Sequence, residues 1–303
     1  MKILMTGASG FVGLNLIKYL KGNDIEIIKF ERYDSDETLK AKLEGVDSVV
    51  HLAGKAHDLK KTSNIDEYYD VNFKLTKKLY DAYLSSTAKR FIFISSVKAA
   101  ADSIDAILEE SIIPNPETHY GKSKLLAERY IQELGVFENK SYIILRPCMI
   151  HGPGNKGNLN LLYKFVEKNV PYPLAAFQNQ RSYLSVGNLC FVIERLILKD
   201  QILSGLYHVA DDKSLSTNEV ISIITNRLNK SIKLLWIPKK LVKIVARIGD
   251  LLGLPLNTER LCKLTENYIV SNKMIKNELA IELPLSSEAG MIITVDSFIL
   301  NDK

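Results

Sequence analysis

Cysteine is scarce in this chain, tryptophan occurs once, and no apolar run is long enough to cross a bilayer. Each shortage excludes a class of protein. The three cysteines, Cys148, Cys190 and Cys262, lie far apart in 303 residues, with neither the paired spacing of a disulfide framework nor that of a zinc site. No metal ligand set is expected, and a reducing cytoplasm is the expected compartment. Apolar stretches such as 189–198 are interrupted by Glu194 and Arg195 and fall short of the roughly 20 residues a membrane-spanning helix needs. Met1 and Lys2 lead into a strand-like run rather than a basic leader and an apolar h-region, so export by that route is not expected. Long blocks of one charge are missing too: 40 basic and 35 acidic residues leave a net +5 scattered along the chain, which argues against a nucleic-acid partner. Fixed-period repeats and low-complexity tracts are absent, excluding solenoids and flexible tails.

What remains is globular material. Hydrophobic residues make up 46% and charged residues 25%, enough apolar surface to offset the entropy of ordering the chain. The length exceeds one minimal core and fits a large α/β unit or two lobes sharing an interface. Lys2 to Thr6 reads as a short buried strand, and Phe11 to Leu20 as a helix with Leu14, Ile17 and Leu20 near one face. Short apolar runs follow at 25–30, 48–52, 91–94 and 142–145, separated by helical patterns at 38–44, 66–86 and 118–134. The apolar face of 66–86 is Tyr68, Val71, Leu75, Leu79 and Ala82. Continuous apolar strands alternating with amphipathic helices imply a parallel sheet covered on both faces, because each right-handed crossover lays a helix on the sheet. The expected fold is α/β, a doubly wound parallel sheet with a smaller mixed α/β substrate-binding lobe. Residues 1–150 with 177–210 are assigned to the sheet domain, and 151–176 with 211–303 to the lobe. In the lobe, 239–252 sets Lys239, Lys240, Lys243 and Arg247 among apolar residues, either as a helix packed in the lobe or as one touching a membrane surface.

Between the first strand and the first helix, Thr6-Gly7-Ala8-Ser9-Gly10-Phe11-Val12-Gly13 spaces its glycines as G-x-x-G-x-x-G. A chain that turns sharply, brings backbone N–H groups to an anion and packs a helix closely on a sheet has no room for side chains at those points. The helix N-terminus then faces a pyrophosphate. An ordinary tight turn carries such glycines as well, but Glu31, eighteen residues after Gly13, stands where an acidic group accepts hydrogen bonds from an adenosine ribose. Gly7, Gly10, Phe11, Val12, Gly13 and Glu31 are thus expected on a dinucleotide. Glu31 favours NAD, whereas Arg32 beside it would suit the 2′-phosphate of NADP. Leu52, Ala53 and Gly54 after the third strand, and Asn72, are softer candidates for the same pocket. A rival string, Gly121-Lys122-Ser123, lacks the upstream glycine of a phosphate loop, since Pro116 stands there.

Tyr120 and Lys124 are four residues apart in a helix and share a face. A tyrosine of ordinary pKa near 10 needs a shift of about three units, roughly 4 kcal/mol, to act as a base near neutral pH, and a nearby ammonium favours its phenolate. Ser95 and Ser96 follow the strand 91–94, at the carboxyl end of the sheet where open α/β folds bind ligands. Ser96 is the better placed to hold a reacting oxygen near Tyr120, although a serine here also serves as a turn cap. Ser96, Tyr120 and Lys124 form the candidate catalytic set.

In order along the chain, the glycine loop, Glu31, Ala53-Gly54, Asn72, Ser95-Ser96, Tyr120-Gly121-Lys122-Ser123-Lys124 and Arg146-Pro147 resemble the extended short-chain dehydrogenase/reductases. The likeness covers nearly the whole sequence. The strings His51-Leu52-Ala53-Gly54-Lys55-Ala56-His57 and Ser95-Ser96-Val97-Lys98 are most similar to enzymes of the UDP-glucose 4-epimerase type, especially bacterial surface-polysaccharide 4-epimerases and 4-keto reductases. The resemblance implies a Rossmann domain holding NAD, with NADP open, and Tyr120 and Lys124 touching the cofactor as well as serving catalysis, with Ser96 on the substrate. It also implies a UDP-sugar substrate, and Arg181 at its diphosphate, a role a planar guanidinium fits. A UDP-hexose or UDP-N-acetylhexosamine 4-epimerase is the leading reading. A UDP-4-keto-6-deoxy-hexosamine reductase comes second, and a non-catalytic dinucleotide sensor is the remote third. Family 4,6-dehydratases carry an acidic pair directly after the catalytic hydroxyl, where this chain has Val97 and Lys98, so dehydration is set aside. Asn188 replaces a usual acidic residue, and Ala280-Ile281-Glu282 a Gly-Trp motif; both departures bear on the substrate. Relatives pair through two helices, here 66–86 and 118–134, which implies a homodimer.

Overall fold

A computed structural model of the chain describes residues 1–55, 64–137, 139–155, 157–253 and 257–301; Ala56 and His57 of the string that begins at His51 lie outside them. The first half alternates as β1 (Lys2–Thr6), α1 (Phe11–Leu20), β2 (Glu26–Phe30), α2 (Asp36–Lys42) and β3 (Ser48–His51). Next, α3 (Ile65–Tyr69) runs through a π-helical segment (Asp70–Lys74) into α4 (Leu75–Leu84), followed by β4 (Arg90–Ile94), a 3-10 turn (Val97–Ala99), β5 (Ile107–Leu108) and α5 (His119–Leu134). The chain continues with β6 (Ser141–Pro147), β7 (Met149–His151), α6 (Asn158–Glu167), β8 (Tyr183–Ser185), α7 (Val186–Leu198) and β9 (Gly205–Val209). Last come α8 (Thr217–Arg227), α9 (Lys239–Leu252), α10 (Thr258–Thr265), β10 (Ile269–Val270), α11 (Lys273–Leu279) and α12 (Ser287–Asn301).

Six strands form one parallel sheet in the order β2-β1-β3-β4-β6-β9. From β1 the chain crosses one way to β2 and then returns past β1 to β3, so a crevice opens at the carboxyl ends of β1 and β3, where such sheets take ligands. Register brings the candidate residues to that edge: Thr6 is level with both Phe30 and His51, and His51 with Phe93. Gly7, Glu31, Leu52 and Ser95 therefore leave the sheet at nearly one height. One face is covered by a core containing Leu16 and Leu20 of α1 and Leu189, Ile193 and Leu196 of α7. The other is covered by Leu39 of α2, Leu79, Tyr80 and Tyr83 of α4, and Ala127 and Ile131 of α5. A separate core joins Tyr163, Tyr183, Val220, Val242, Leu261 and Phe298. The doubly wound sheet is thus present as expected, and no helix among the described residues is long and apolar enough to cross a membrane.

Two expected faces are wrong by one step. Leu20 is buried as expected, but Leu14 is exposed and Ile17 only partly covered, and α1 buries Gly13 and Leu16 in their place. In the long helix the buried set is Tyr68, Asn72, Thr76, Leu79, Tyr80 and Tyr83, while Val71, Leu75 and Ala82 are only partly covered. The wider π turn explains the shift, since it inserts extra chain and rotates the helix beyond it. The rival string Gly121-Lys122-Ser123 lies inside α5 and forms no loop.

Candidate active site

The glycine loop is shaped by backbone contact. Gly7 sits at φ +68°, and a Cβ there would lie 2.6 Å from the Ala53 nitrogen. A Cβ on Gly13 would lie 2.3 Å from the Gly7 carbonyl oxygen and 2.8 Å from Ala8 backbone. Neither obstacle is a flexible side chain that can swing away. Gly10 precedes α1 without a capping side chain, leaving the first-turn amides of Phe11, Val12 and Gly13 to an anion. A cradle in which side chains are excluded by backbone fits a dinucleotide pyrophosphate. Gly13→Ala is accordingly expected to weaken NAD binding at least tenfold in a calorimetric titration, with a lower Tm. Wild-type affinity would contradict this reading of the loop. Glu31 and Arg32 are exposed just beyond β2, where the Glu31 amide donates to the Asp34 carboxylate at 2.7 Å.

A buried polar chain links the loop to the third strand. Thr76 Oγ1 donates to the Asn72 carbonyl (2.8 Å), so it accepts from His51 Nε2 (2.9 Å). That leaves His51 Nδ1 to accept from Thr6 Oγ1 (2.7 Å), which itself accepts the Ala53 amide (3.1 Å). Burial and the Lys124 charge hold His51 well below its ordinary pKa, in keeping with a neutral ring relaying these bonds. Asn72, in the π segment, accepts the Lys55 amide (2.8 Å) and donates to Ser123 Oγ (3.0 Å). It thereby ties the segment after β3 to α5. A Cβ on Gly54 would lie 2.9 Å from Lys124 Nζ, so Gly54, Asn72 and Lys124 meet in one place.

The start of α5 decides where Tyr120 goes. Thr118 caps the helix by accepting the Gly121 amide (3.2 Å), and the Asp102 carboxylate accepts the amides of Glu117 (2.7 Å) and Thr118 (3.1 Å). Gly121 packs so closely on the turn after Ser96 that a Cβ would meet the Lys98 carbonyl oxygen at 2.3 Å. This approach brings the Tyr120 hydroxyl into a hydrogen bond with the Ser96 side chain. Ser96 also caps the 3-10 turn, accepting the Lys98 amide at 3.2 Å, so the turn-cap reading of that serine holds. The Tyr120 ring meets Tyr68 edge-on at 6.4 Å between centroids. Burial raises the Tyr120 pKa, and the Ser96 hydrogen bond opposes that rise.

One turn on, Lys124 is buried, donates to the Ile94 carbonyl (2.8 Å) and lies 4.8 Å from the centre of the Phe93 ring. Burial pulls its ammonium down to about 8, with Glu128 pulling the other way. Its ordinary value is 10.5. Between those two pH values the folded protein binds fewer protons here than the unfolded chain, so this lysine's burden on stability is full below pH 8 and eases as pH rises. The Tm of Lys124→Met minus that of wild type should therefore fall from pH 8 to pH 10 in scanning calorimetry. A flat difference would contradict a buried ammonium.

Beneath these residues lies a network that motif reading did not reach. Ser95 Oγ donates to Glu128, so Ser95 is spent on structure and Ser96 is left for the crevice. Glu128 is fully buried and takes Arg146 through Nε (2.9 Å) and Nη2 (2.5 Å). Its position was readable, since Tyr120, Lys124 and Glu128 fall at successive four-residue steps on one helix face. Tyr268 was also missed: its hydroxyl donates to the Ala101 carbonyl (2.7 Å), and the Lys98 ammonium lies 4.5 Å from its ring centre. Arg181 pairs through its backbone with Leu215 and bridges to Tyr268, and its guanidinium lies 3.6 Å from Glu266. Asn188 is buried, donating to Asp211 (2.7 Å) and the Leu285 carbonyl (2.9 Å).

This arrangement has counterparts. The model of the NAD dependent epimerase/dehydratase family matches residues 3–204. The UDP-glucose 4-epimerase of Vibrio cholerae is 30% identical, over 98% of this chain and 95% of that protein. The N-acetyl-alpha-D-glucosaminyl-diphospho-ditrans,octacis-undecaprenol 4-epimerase of Escherichia coli O157:H7 is 29% identical, over 90% of this chain and 84% of its own length. Among solved structures, the UDP-N-acetylglucosamine 4-epimerase from Bacillus cereus superposes with a TM-score of 0.78 at 21% identity, covering all of both chains. With a glycine cradle at the sheet's switch point, a Ser96–Tyr120 pair beside a buried lysine, and a family match across two thirds of its length, the chain belongs to the NAD dependent epimerase/dehydratase family.

Proposed function

We propose that the protein inverts C4 of a UDP-linked hexose or N-acetylhexosamine. The observation that carries this reading is the Ser96–Tyr120 hydrogen bond with Lys124 buried one turn beyond it, at the edge where the glycine loop also lies. Tyr120 takes the proton from the C4 hydroxyl as hydride leaves C4, and returns it when hydride arrives on the other face of the sugar. Ser96 Oγ holds the C4 oxygen through both halves. Lys124 supplies a positive charge that favours the Tyr120 phenolate. When bound, NAD accepts the hydride from C4 and gives it back. Gly7, Gly10, Phe11, Val12, Gly13, Leu52, Ala53, Gly54 and Asn72 are proposed to hold it, with Glu31 on the adenosine ribose. The names of the Vibrio and Escherichia relatives, both 4-epimerases, support the reaction class.

Arg181 is proposed to meet the diphosphate, on the same side of the molecule as Tyr268 and the turn after Ser96. A sugar-nucleotide lobe is proposed within 151–176 and 211–303; the second core draws most of its residues from these ranges but also takes in Phe177 and Tyr183, while Tyr268, Val270, Ile275 and Leu279 pack on the sheet core. A homodimer is proposed through α4 and α5, which pack side by side with Tyr130 donating to Asp81 at 2.5 Å. A 4-keto reductase would use the same three residues. It is favoured by Arg32 at the end of β2 and by the UDP-2-acetamido-2,6-beta-L-arabino-hexul-4-ose reductase of Pseudomonas aeruginosa, 32% identical over 53% of this chain. Supplying UDP-galactose, and separately a UDP-4-keto-6-deoxy sugar with NADH or NADPH, distinguishes the two. Cofactor consumption confined to the second mixture would overturn the epimerase.

A further inference from the structure

One window of the chain is dense in positive charge. From Arg227 to Gly249 there are seven basic residues and no acidic one, against +5 for the whole sequence, so the remainder is net acidic. This window comprises most of α9 and the segment leading into it. At about 100° per residue, α9 divides into three sectors. Val242, Ala246 and Gly249 are buried, the first two in the second core. Lys239, Lys240, Lys243 and Arg247 share a second sector with Asp250, whose carboxylate accepts the Thr258 amide at 3.0 Å. Between them Leu241, Ile244, Val245, Ile248, Leu251 and Leu252 form an apolar arc about 120° wide, and all six are exposed, Leu251 by 86%. Just before the helix, Trp236 is 61% exposed and is the chain's single tryptophan. Packing within the lobe therefore accounts for a narrow stripe and leaves the broader apolar face outside. Among the described residues no ion pair engages Lys240, Lys243 or Arg247.

We propose that this face docks on an anionic lipid bilayer, with α9 lying in the interfacial plane. A wide apolar arc bordered by lysine and arginine is the form that sinks among headgroups, and a tryptophan beside it suits the same depth. Charge complementarity selects the occupant. A second copy would set one acid-free basic window against another, and an uncharged bilayer would leave the basic sector without counter-charge, whereas anionic headgroups answer both sectors. The proposal is independent of the C4 chemistry.

The test uses the full chain with vesicles of phosphatidylcholine alone and of phosphatidylcholine mixed with phosphatidylglycerol. Co-sedimentation is expected with the mixed vesicles, weakened by salt, together with a shift of Trp236 emission to shorter wavelength. Ile244→Asp with Ile248→Asp, and separately Lys240→Glu with Lys243→Glu, should each lower partitioning at least about tenfold while keeping the wild-type Tm. Failure of the wild type to bind, or unchanged binding by a folded double variant, would overturn the proposal. So would vesicle-free self-association through these residues in light scattering, or binding retained only when an acidic protein is present. Should the aspartate variant not fold, the charge variant and the lipid-charge dependence of the wild type decide.

Discussion

Tyr120→Phe should turn over a UDP-hexose about a thousandfold more slowly than wild type, within the span that positioned acid–base groups supply, with Tm and bound NAD almost unchanged. The phenyl ring keeps its edge contact with Tyr68 and its place in the first turn of α5. What is lost is one hydroxyl and its hydrogen bond to Ser96, worth about 1 kcal/mol to stability. A steep fall in turnover with a small fall in Tm separates a proton-transfer group from a packing residue. Turnover close to wild type would show that Tyr120 does not carry the proton.

Arg146→Met should be the most destabilising single change near the site. It strands the Glu128 carboxylate, which is fully buried and, among the described residues, keeps Ser95 as its side-chain hydrogen-bond donor. Breaking a buried pair in this way costs about 3–5 kcal/mol, which for a chain of this size lowers Tm by roughly ten degrees. Replacing both partners removes the stranded charge as well as the bond, so Arg146→Met with Glu128→Leu should recover much of the loss. Calorimetry on the two single variants and the double variant closes the cycle. Equal losses in Arg146→Met and in the double variant would mean that packing, and not the stranded carboxylate, sets the cost.

The parts of the fold legible from sequence are those with a strong local signal. Residues 11–20 and 239–252 coincide with α1 and α9, because glycine before the first and proline before the second mark their starts. Five strands of the parallel sheet were legible as apolar runs bounded by turns, whereas the sixth, β9 (Gly205–Val209), was not anticipated. β5, β7, β8 and β10 have two or three residues each, too few to show any period. The π segment left no mark either, since Asp70–Lys74 has ordinary helical composition, and its extra width moved Asn72 and Thr76 inward. Of the candidate site, Ser96, Tyr120 and Lys124 were singled out from spacing and position, and the structure brings them close together. Glu128 was not singled out although its helix face was readable, and His51 entered only within the string that begins with it, because the role of each shows only once its partners, here Arg146 and the two threonines, are brought together from distant strands and helices. The basic window was visible in the sequence, but the exposure of its apolar arc was not.

Central to the proposed mechanism is a hydride that leaves C4 and returns to the same carbon while Tyr120 and Ser96 manage the proton. The most direct measurement follows UDP-galactose deuterated at C4 through conversion in ordinary water. Retention of deuterium at C4 of the UDP-glucose formed, with no net accumulation of NADH, is the predicted result; replacement of that deuterium by solvent hydrogen would contradict it.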